Sequence, residues 1–204
     1  PANTSEVFGN PNLPVERSTQ VSLGVKQRIW GPVSASVTGF FKWMDRLAVP
    51  TDELVERDGE MVPLRNTDTG RGRIYGMELM VRAEPTEHFF GWLSYTLMRS
   101  ERQDAEGEPW NVYDFDQTHI LTLVAGFSLP RRWEIGLRFR LISGQPTTPV
   151  IGFLYESNCD EYERVSGEEN SERLPLFHQL DIRIEKSWLI RGVFELSLYL
   201  DVQN

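Results

Sequence analysis

The 204-residue chain contains one cysteine, Cys159, so it cannot close a disulfide on itself. That thiol can pair only outside the chain or stay free, and we read it as a loop residue without a catalytic role. No stretch reaches the about 18 consecutive apolar residues that mark a membrane-spanning helix. Barrel strands remain open to it, because they show only alternation. No segment repeats its apolar residues at a helical period. The only histidines, His88, His119 and His178, form no pair at a metal-binding spacing such as H-x-x-x-H. Asp114 and Asp116 flank Phe115 and would share one face of a strand, but nothing marks one as acid and the other as base. These absences argue against an enzyme, and no residue pattern points to a cofactor. Basic patches are also missing: the formal net charge is −9, the opposite of a nucleic-acid footprint. The acidic residues gather in 52–60 and 156–172, between periodic segments, where they read as solvated loops.

What is present is period two. In residues 113–150, Leu121, Leu123, Ala125, Phe127 and Leu129 share one parity, and Thr122, Gly126 and Ser128 the other. After Pro130-Arg131-Arg132 the pattern resumes, with Trp133, Ile135, Leu137, Phe139 and Leu141 against Glu134, Gly136, Arg138 and Arg140. Side chains alternate between the two faces of a strand, so this is a hairpin with one apolar and one polar face. A soluble sandwich layer and a membrane-spanning pair both fit that hairpin; a tilted spanning strand needs about 9–11 residues.

The same alternation recurs along the chain. Thr19, Val21, Leu23 and Val25 begin one strand, and Gly31-Pro32 turns it into a second running from about Val33 to Val49. A charged loop is expected from Pro50 to about Gly70. Tyr75 to Ala83 and Phe89 to Leu97 form a third and fourth strand around Glu84-Pro85-Thr86-Glu87. A polar loop, Ser100 to Trp110, precedes the hairpin already described, and the longest loop, Ser143 to Arg173, follows it. Leu176 to Ile184 and Phe194 to Val202 complete about eight strands, joined at Arg191-Gly192. The fold class is therefore all-β, an antiparallel up-and-down meander over 1–204 as a single domain. The polar start, Pro1 to Pro14, and the stop at Asn204 directly after an alternating run lead us to expect a piece of a longer protein.

Three features favour a membrane barrel. Short connections alternate strictly with long ones, as in barrels with short periplasmic turns and long external loops. Aromatics sit at strand ends: Trp30, Phe89, Phe90, Trp92, Trp133 and Trp188 by the short turns, Trp43, Trp110, Tyr113 and Phe115 toward the long loops. Such positions suit girdles at the two lipid interfaces, for which Trp30, Trp43, Phe89, Trp133 and Trp188 are the candidates. Finally, Glu78, Arg82, Arg138, Arg140, Asp181, Arg183, Glu185, Glu195, Tyr199 and Asp201 share the polar parity, a charge density that no dry core tolerates. They would line a wet lumen, mainly neutralising one another.

Several stretches, in order, resemble the C-terminal barrel of a TonB-dependent outer-membrane receptor. They are Gly9-Asn10-Pro11-Asn12-Leu13 with Glu16 to Gln20, and Asn66 to Gly70 leading into Tyr75-Gly76-Met77-Glu78. Asp116-Gln117-Thr118-His119, Ser143-Gly144-Gln145-Pro146-Thr147-Thr148-Pro149 and Leu200-Asp201-Val202-Gln203-Asn204 follow. Pro14-Val15-Glu16 stands where the family usually has Pro-Glu. The resemblance implies a slice of a barrel of about twenty-two strands, without its final strand or its plug. It implies a location in the Gram-negative outer membrane, and import of a scarce ligand such as a siderophore or other chelate. The implied partners are membrane lipid and lipopolysaccharide, the plug, the TonB complex acting through it, and a small ligand recognised by Thr51 to Asp68, Glu101 to Asn111 and Gly144 to Arg173. Two other readings stand beside it: a self-contained eight-stranded barrel for adhesion or envelope structure, and a soluble β-sandwich binding module.

Overall fold

The structure, a computed structural model, describes residues 10, 12–57, 59–158 and 160–204. Cys159, and Gly9 and Pro11 of the opening motif, lie outside the described residues. The strands are β1 (Arg17–Trp30), β2 (Val33–Arg57), β3 (Glu60–Ala83), β4 (Phe89–Gln103), β5 (Asn111–Val112), β6 (His119–Leu129), β7 (Trp133–Ile142), β8 (Pro146–Thr147), β9 (Val150–Glu156), β10 (Glu161–Ser166), β11 (Glu172–Arg173), β12 (Phe177–Ile190) and β13 (Phe194–Val202). No helix occurs among the described residues.

Eight long strands pair in the order β1-β2-β3-β4-β6-β7-β12-β13, every neighbour antiparallel, with β5 beside the end of β4. This is the expected meander. It is a single sheet, which rules out the two packed sheets of a sandwich. β1 and β13 do not pair among the described residues, so the eight strands do not close on themselves, and the closed eight-stranded barrel is excluded.

The register sorts the faces. Val25, Val37, Leu79, Tyr95, Leu121 and Leu141 stand in one row, and Ala83, Gly91, Ala125, Leu137, Ile182 and Val202 in another. Because the period is two, the opposite face collects Thr38, Glu78, Thr96, Thr122 and Arg140. Apart from Pro146 in the long segment, the buried apolar side chains among the described residues are Met44, 8% exposed, and Leu47, 5%. Leu23, Val25, Phe41, Leu198 and Leu200 are exposed instead. A chain of this size that folded in water would bury a continuous core. Here the apolar surface is a broad wall, which is the form it takes when the solvent on that side is lipid.

Three expectations change. Residues 50–70 are not a loop, because β2 and β3 run on as a hairpin to Arg57 and Glu60. Beyond Gln103, where β4 stops, that hairpin is a two-stranded ribbon. A ribbon edge tolerates Pro50 and Pro63, which cannot donate to a ladder. Register breaks after Asp45, Leu47 and Thr51, with positive φ at Arg46 (60°) and Arg65 (69°), obscure its alternation. The Ser143–Arg173 segment holds its own hairpin, β9 with β10, and a short β8–β11 pair. Phe90 and Trp92 stand on the polar face, so they are not girdle residues.

The four short turns fall where the sequence puts them. Arg131 and Arg132 both have positive φ (63° and 61°), as do Arg191 and Gly192 (54° and 72°). That is the backbone twist tight hairpins require.

Gly76 lies where strands approach most closely: an added Cβ would run into the Leu97 carbonyl and stand 2.8 Å from Met98 Cα. At Gly136 the nearest atom would be Arg183 Cβ at 3.8 Å, ordinary contact. Gly76→Ala should therefore destabilise the refolded protein in detergent by about 1–3 kcal/mol, whereas Gly136→Ala should fall within about 0.5 kcal/mol of the parent. Thermal melts of the heat-modifiable band compare the two, and equal melting would refute the packing argument.

Candidate ligand-facing site

On the polar face the wall is wired by ion pairs. Arg138 donates to Asp181 through Nε at 2.7 Å and Nη2 at 2.5 Å, and Gln179 donates to the other Asp181 oxygen at 2.9 Å. Arg183 binds Glu185 at 2.7 Å and lies 4.1 Å over the Tyr199 ring, with Asp201 directly across the ladder. Arg140 sits over the Phe177 ring at 5.9 Å, and Arg82 pairs with Glu84 at 3.5 Å. Glu78 and Glu195 stand on the same face without an ion pair among the described residues. Hollows open on this face, one lined by Lys26, Ser34, Ser36, Arg82 and Trp92, another by Gln20, Thr38, Lys42 and Glu78. The polar face is thus the concave one. Where Phe90 crosses this wall its ring lies on Gly126, whose missing Cβ makes the space.

All five girdle candidates stand on the opposite, apolar face. A bulge between Arg28 and Trp30 shifts the register so that Trp30 opposes Val33 and turns to that face, 78% exposed. Phe89 packs on Phe127 at 5.1 Å, and Lys186 lies 5.5 Å from both Trp133 and Trp188. At the other end Trp43 packs edge-on against Trp110 at 5.6 Å and donates to Asp45 at 2.6 Å. Arg73 caps Trp110 at 4.3 Å and pairs with Glu101 at 2.6 Å.

The long-loop end is bound together by Asp116, which the sequence offered only as half of a carboxylate pair and within a family-like stretch, and by Arg173 and Asn170, whose roles sequence reasoning did not single out. Asp116 is fully buried. It accepts from Ser100 N at 2.6 Å, Thr118 Oγ1 at 2.8 Å and Arg173 Nη2 at 2.5 Å. Arg173 also donates to the Gly144 carbonyl at 3.0 Å. Asn170 donates through Nδ2 to Val112 O and Asp114 Oδ1, both at 2.7 Å. Asp114 and Asp116 do not share a strand face: they lie in a turn closed by Asp116 N on Tyr113 O at 2.8 Å. The Asp116-Gln117-Thr118-His119 stretch was the one available signal, and its partner lies 57 residues away.

Above this clasp the β9–β10 hairpin exposes Ile151, Phe153, Tyr155 and Tyr162. Tyr155 and Tyr162 pack at 5.3 Å, and the Tyr155 hydroxyl donates to Asp160 at 2.6 Å, which holds its pKa above the usual phenol value. The histidines stay apart; His119 Nδ1 meets the Tyr95 hydroxyl at 2.8 Å. Among the described residues no cluster of His, Cys, Asp and Glu could hold a metal ion.

Removing Asp116 leaves Arg173 without its carboxylate and the Ser100 amide unsatisfied. Asp116→Ala should loosen the loops by about 2–3 kcal/mol, with Asp116→Asn intermediate. Limited trypsinolysis reads this as faster cleavage after Arg164 while β6 and β7 stay protected. Unchanged cleavage would show that the clasp does not hold the loops.

The comparisons with known proteins agree with this architecture. The family model described as "TonB dependent receptor-like, beta-barrel" matches residues 1–204. The outer membrane transporter YddB from Escherichia coli is similar in structure, with a TM-score of 0.65 at 13% identity over 95% of this chain. The FrpB iron transporter from Neisseria meningitidis (F3-3 variant) follows at TM-score 0.56 and 13% identity over 93%. This chain spans 29% and 27% of those two proteins, so it matches a slice of a larger barrel. No curated protein matches the sequence. The chain belongs to the TonB-dependent receptor-like β-barrel family, whose strands cross the Gram-negative outer membrane.

Proposed function

We propose that this chain is one partial transmembrane barrel domain of an energy-coupled receptor. The whole receptor binds a scarce ligand, a siderophore or other chelate, at its long-loop end and passes it inward through the barrel. The observation that carries this is the division of one sheet into a coreless apolar face and a concave, ion-paired polar face. Lipid on one side and water on the other satisfy both. In this reading Glu78, Arg82, Arg138, Arg140, Asp181, Arg183, Glu185, Glu195, Tyr199 and Asp201 line the lumen and face the plug. Trp30, Trp43, Phe89, Trp133 and Trp188 mark the two interfaces with lipid and lipopolysaccharide. The TonB complex acts through the plug, which lies elsewhere in the full protein.

Ligand recognition falls to the ribbon of β2 and β3, to residues 101–111, and to the β9–β10 hairpin. Binding residues concentrate on loops held by a rigid scaffold. The iron named for the Neisseria transporter supports a ferric chelate as the first ligand to try.

Cells carrying the full-length gene, with and without TonB, should be supplied with a panel of radiolabelled ferric chelates. Uptake of at least one should require TonB and collapse on adding a protonophore. Deleting residues 150–166 should bring that uptake to background while the protein still reaches the outer membrane. Uptake indifferent to TonB would sink the energy-coupled reading.

A further inference from the structure

Among the described residues, Arg102 has a buried guanidinium nitrogen that no acceptor satisfies. It sits on the polar face near the end of β4, opposite Gly72 of β3 and Asn111 of β5. An added Cβ at Gly72 would meet Met44 Cε at 2.7 Å and Leu47 Cδ1 at 3.1 Å, so the glycine makes room for these two buried side chains, with the Arg102 stem in contact at 3.4 Å. The Tyr113 ring covers the guanidinium at 4.3 Å. Its Nε is buried without a hydrogen-bond partner, the only described side-chain atom in that state. No described carboxylate forms an ion pair with it.

Arg102 lines a cavity of about 420 Å³ at the long-loop end, whose lining also includes Asn111 and the acids Glu16, Asp104, Asp114 and Glu169. Two of these acids are already engaged, Asp114 by Asn170 at 2.7 Å and Glu169 by Asn111 at 2.9 Å. Arg71, the other cation there, is taken by Glu106 at 3.2 Å. Arg102 is thus the cation of the site without an ion pair among the described residues, its guanidinium over the Tyr113 ring, and a planar fork of donors matches a carboxylate. Asp114 and Glu169 keep acceptor lone pairs toward the cavity rim, which favour a ligand that also carries hydroxyl or ammonium donors.

We infer that this cavity binds a small ligand through a hydroxy-carboxylate group, with Arg102 as its anchor and Tyr113 holding the guanidinium in place. The inference rests on the receptor reading above, since a hydroxy-carboxylate is also an oxygen chelator of hard metal ions. The binding itself needs neither TonB nor transport, so the two fail separately.

Calorimetry on the full-length receptor in detergent, with L-malate, succinate, succinamide and pyrophosphate as probes, tests it. Malate should bind, succinate more weakly, and neutral succinamide not at all. Arg102→Gln should weaken malate at least about tenfold. Arg102→Lys, which keeps the charge but not the fork, should also weaken it, and Tyr113→Leu should lower affinity while leaving the heat-modifiable band intact. Should Arg102→Gln fail to fold, the Lys and Tyr113 variants carry the reading. No malate binding, binding untouched by these variants, or tighter binding of pyrophosphate than of malate would each overturn the assignment.

Discussion

The antiparallel ladder is the constraint from which the rest follows. In hydrocarbon no water is present to satisfy a backbone amide, and each orphan group costs several kcal/mol. Eight strands paired side by side meet that demand along the wall, apart from the bulge between Arg28 and Trp30, the register breaks at the outer end of the β2–β3 pair and the two outer edges, β1 and β13. Strands of 9–15 residues, β1, β4, β6, β7, β12 and β13, are long enough to cross at a tilt. Pairing at this length also fixes side-chain destiny, because a slip of one residue would turn the mid-strand leucines inward and Arg138, Arg140 and Arg183 into lipid. The family is one of receptors, not of enzymes.

The two faces answer to different solvents. Ionised groups such as Asp181 and Arg138 hold one another at hydrogen-bond distance on the concave side. On the convex side, charge is confined to the strand ends, where Arg73 and Glu101 pair beside Trp43 and Trp110. Lys186 lies against Trp133 and Trp188 and donates to the Arg131 carbonyl in the turn. A long cationic side chain at a strand end can keep its stem on the apolar wall and its head in the interface. Aromatic and charged side chains thus meet at the same strand ends.

The sequence disclosed the wall better than what stands on it. Leu196, Leu198 and Leu200 against Glu195, Ser197 and Tyr199 are readable because lipid and water enforce alternation at every step. Past Gln103 nothing enforces it: the ribbon from Thr51 to Asp68 has water on both sides, so Pro63 can face Leu54 and the residues read as loop. In β9 apolar residues occupy both parities, Val150 and Leu154 as well as Ile151 and Phe153, and the period vanishes. Phe90 and Trp92 look like girdle residues by their distance from a turn, but parity places them on the concave face. Arg102 was invisible because its significance is the absence of a partner, which only three dimensions reveal.

Asp116 shows why the long-loop end needs its own organising contact. The chain from Ser143 to Leu176 leaves one wall strand and returns at the next, and few apolar residues there are buried. Without fixed points such a segment would sample many arrangements, and binding a ligand would require ordering all of them. A fully buried carboxylate changes this, since desolvation makes a charge intolerable unless its donors are present together. Ser100 from β4, Thr118 at the foot of β6 and Arg173 at the end of the long segment must therefore converge. Asn170 adds a second tie to Val112 and Asp114, beside the cavity that holds Arg102. The ladder supplies rigidity only as far as its last paired residue. Beyond it, the same role passes to one buried charge whose neutralisation requires the loops to be in place.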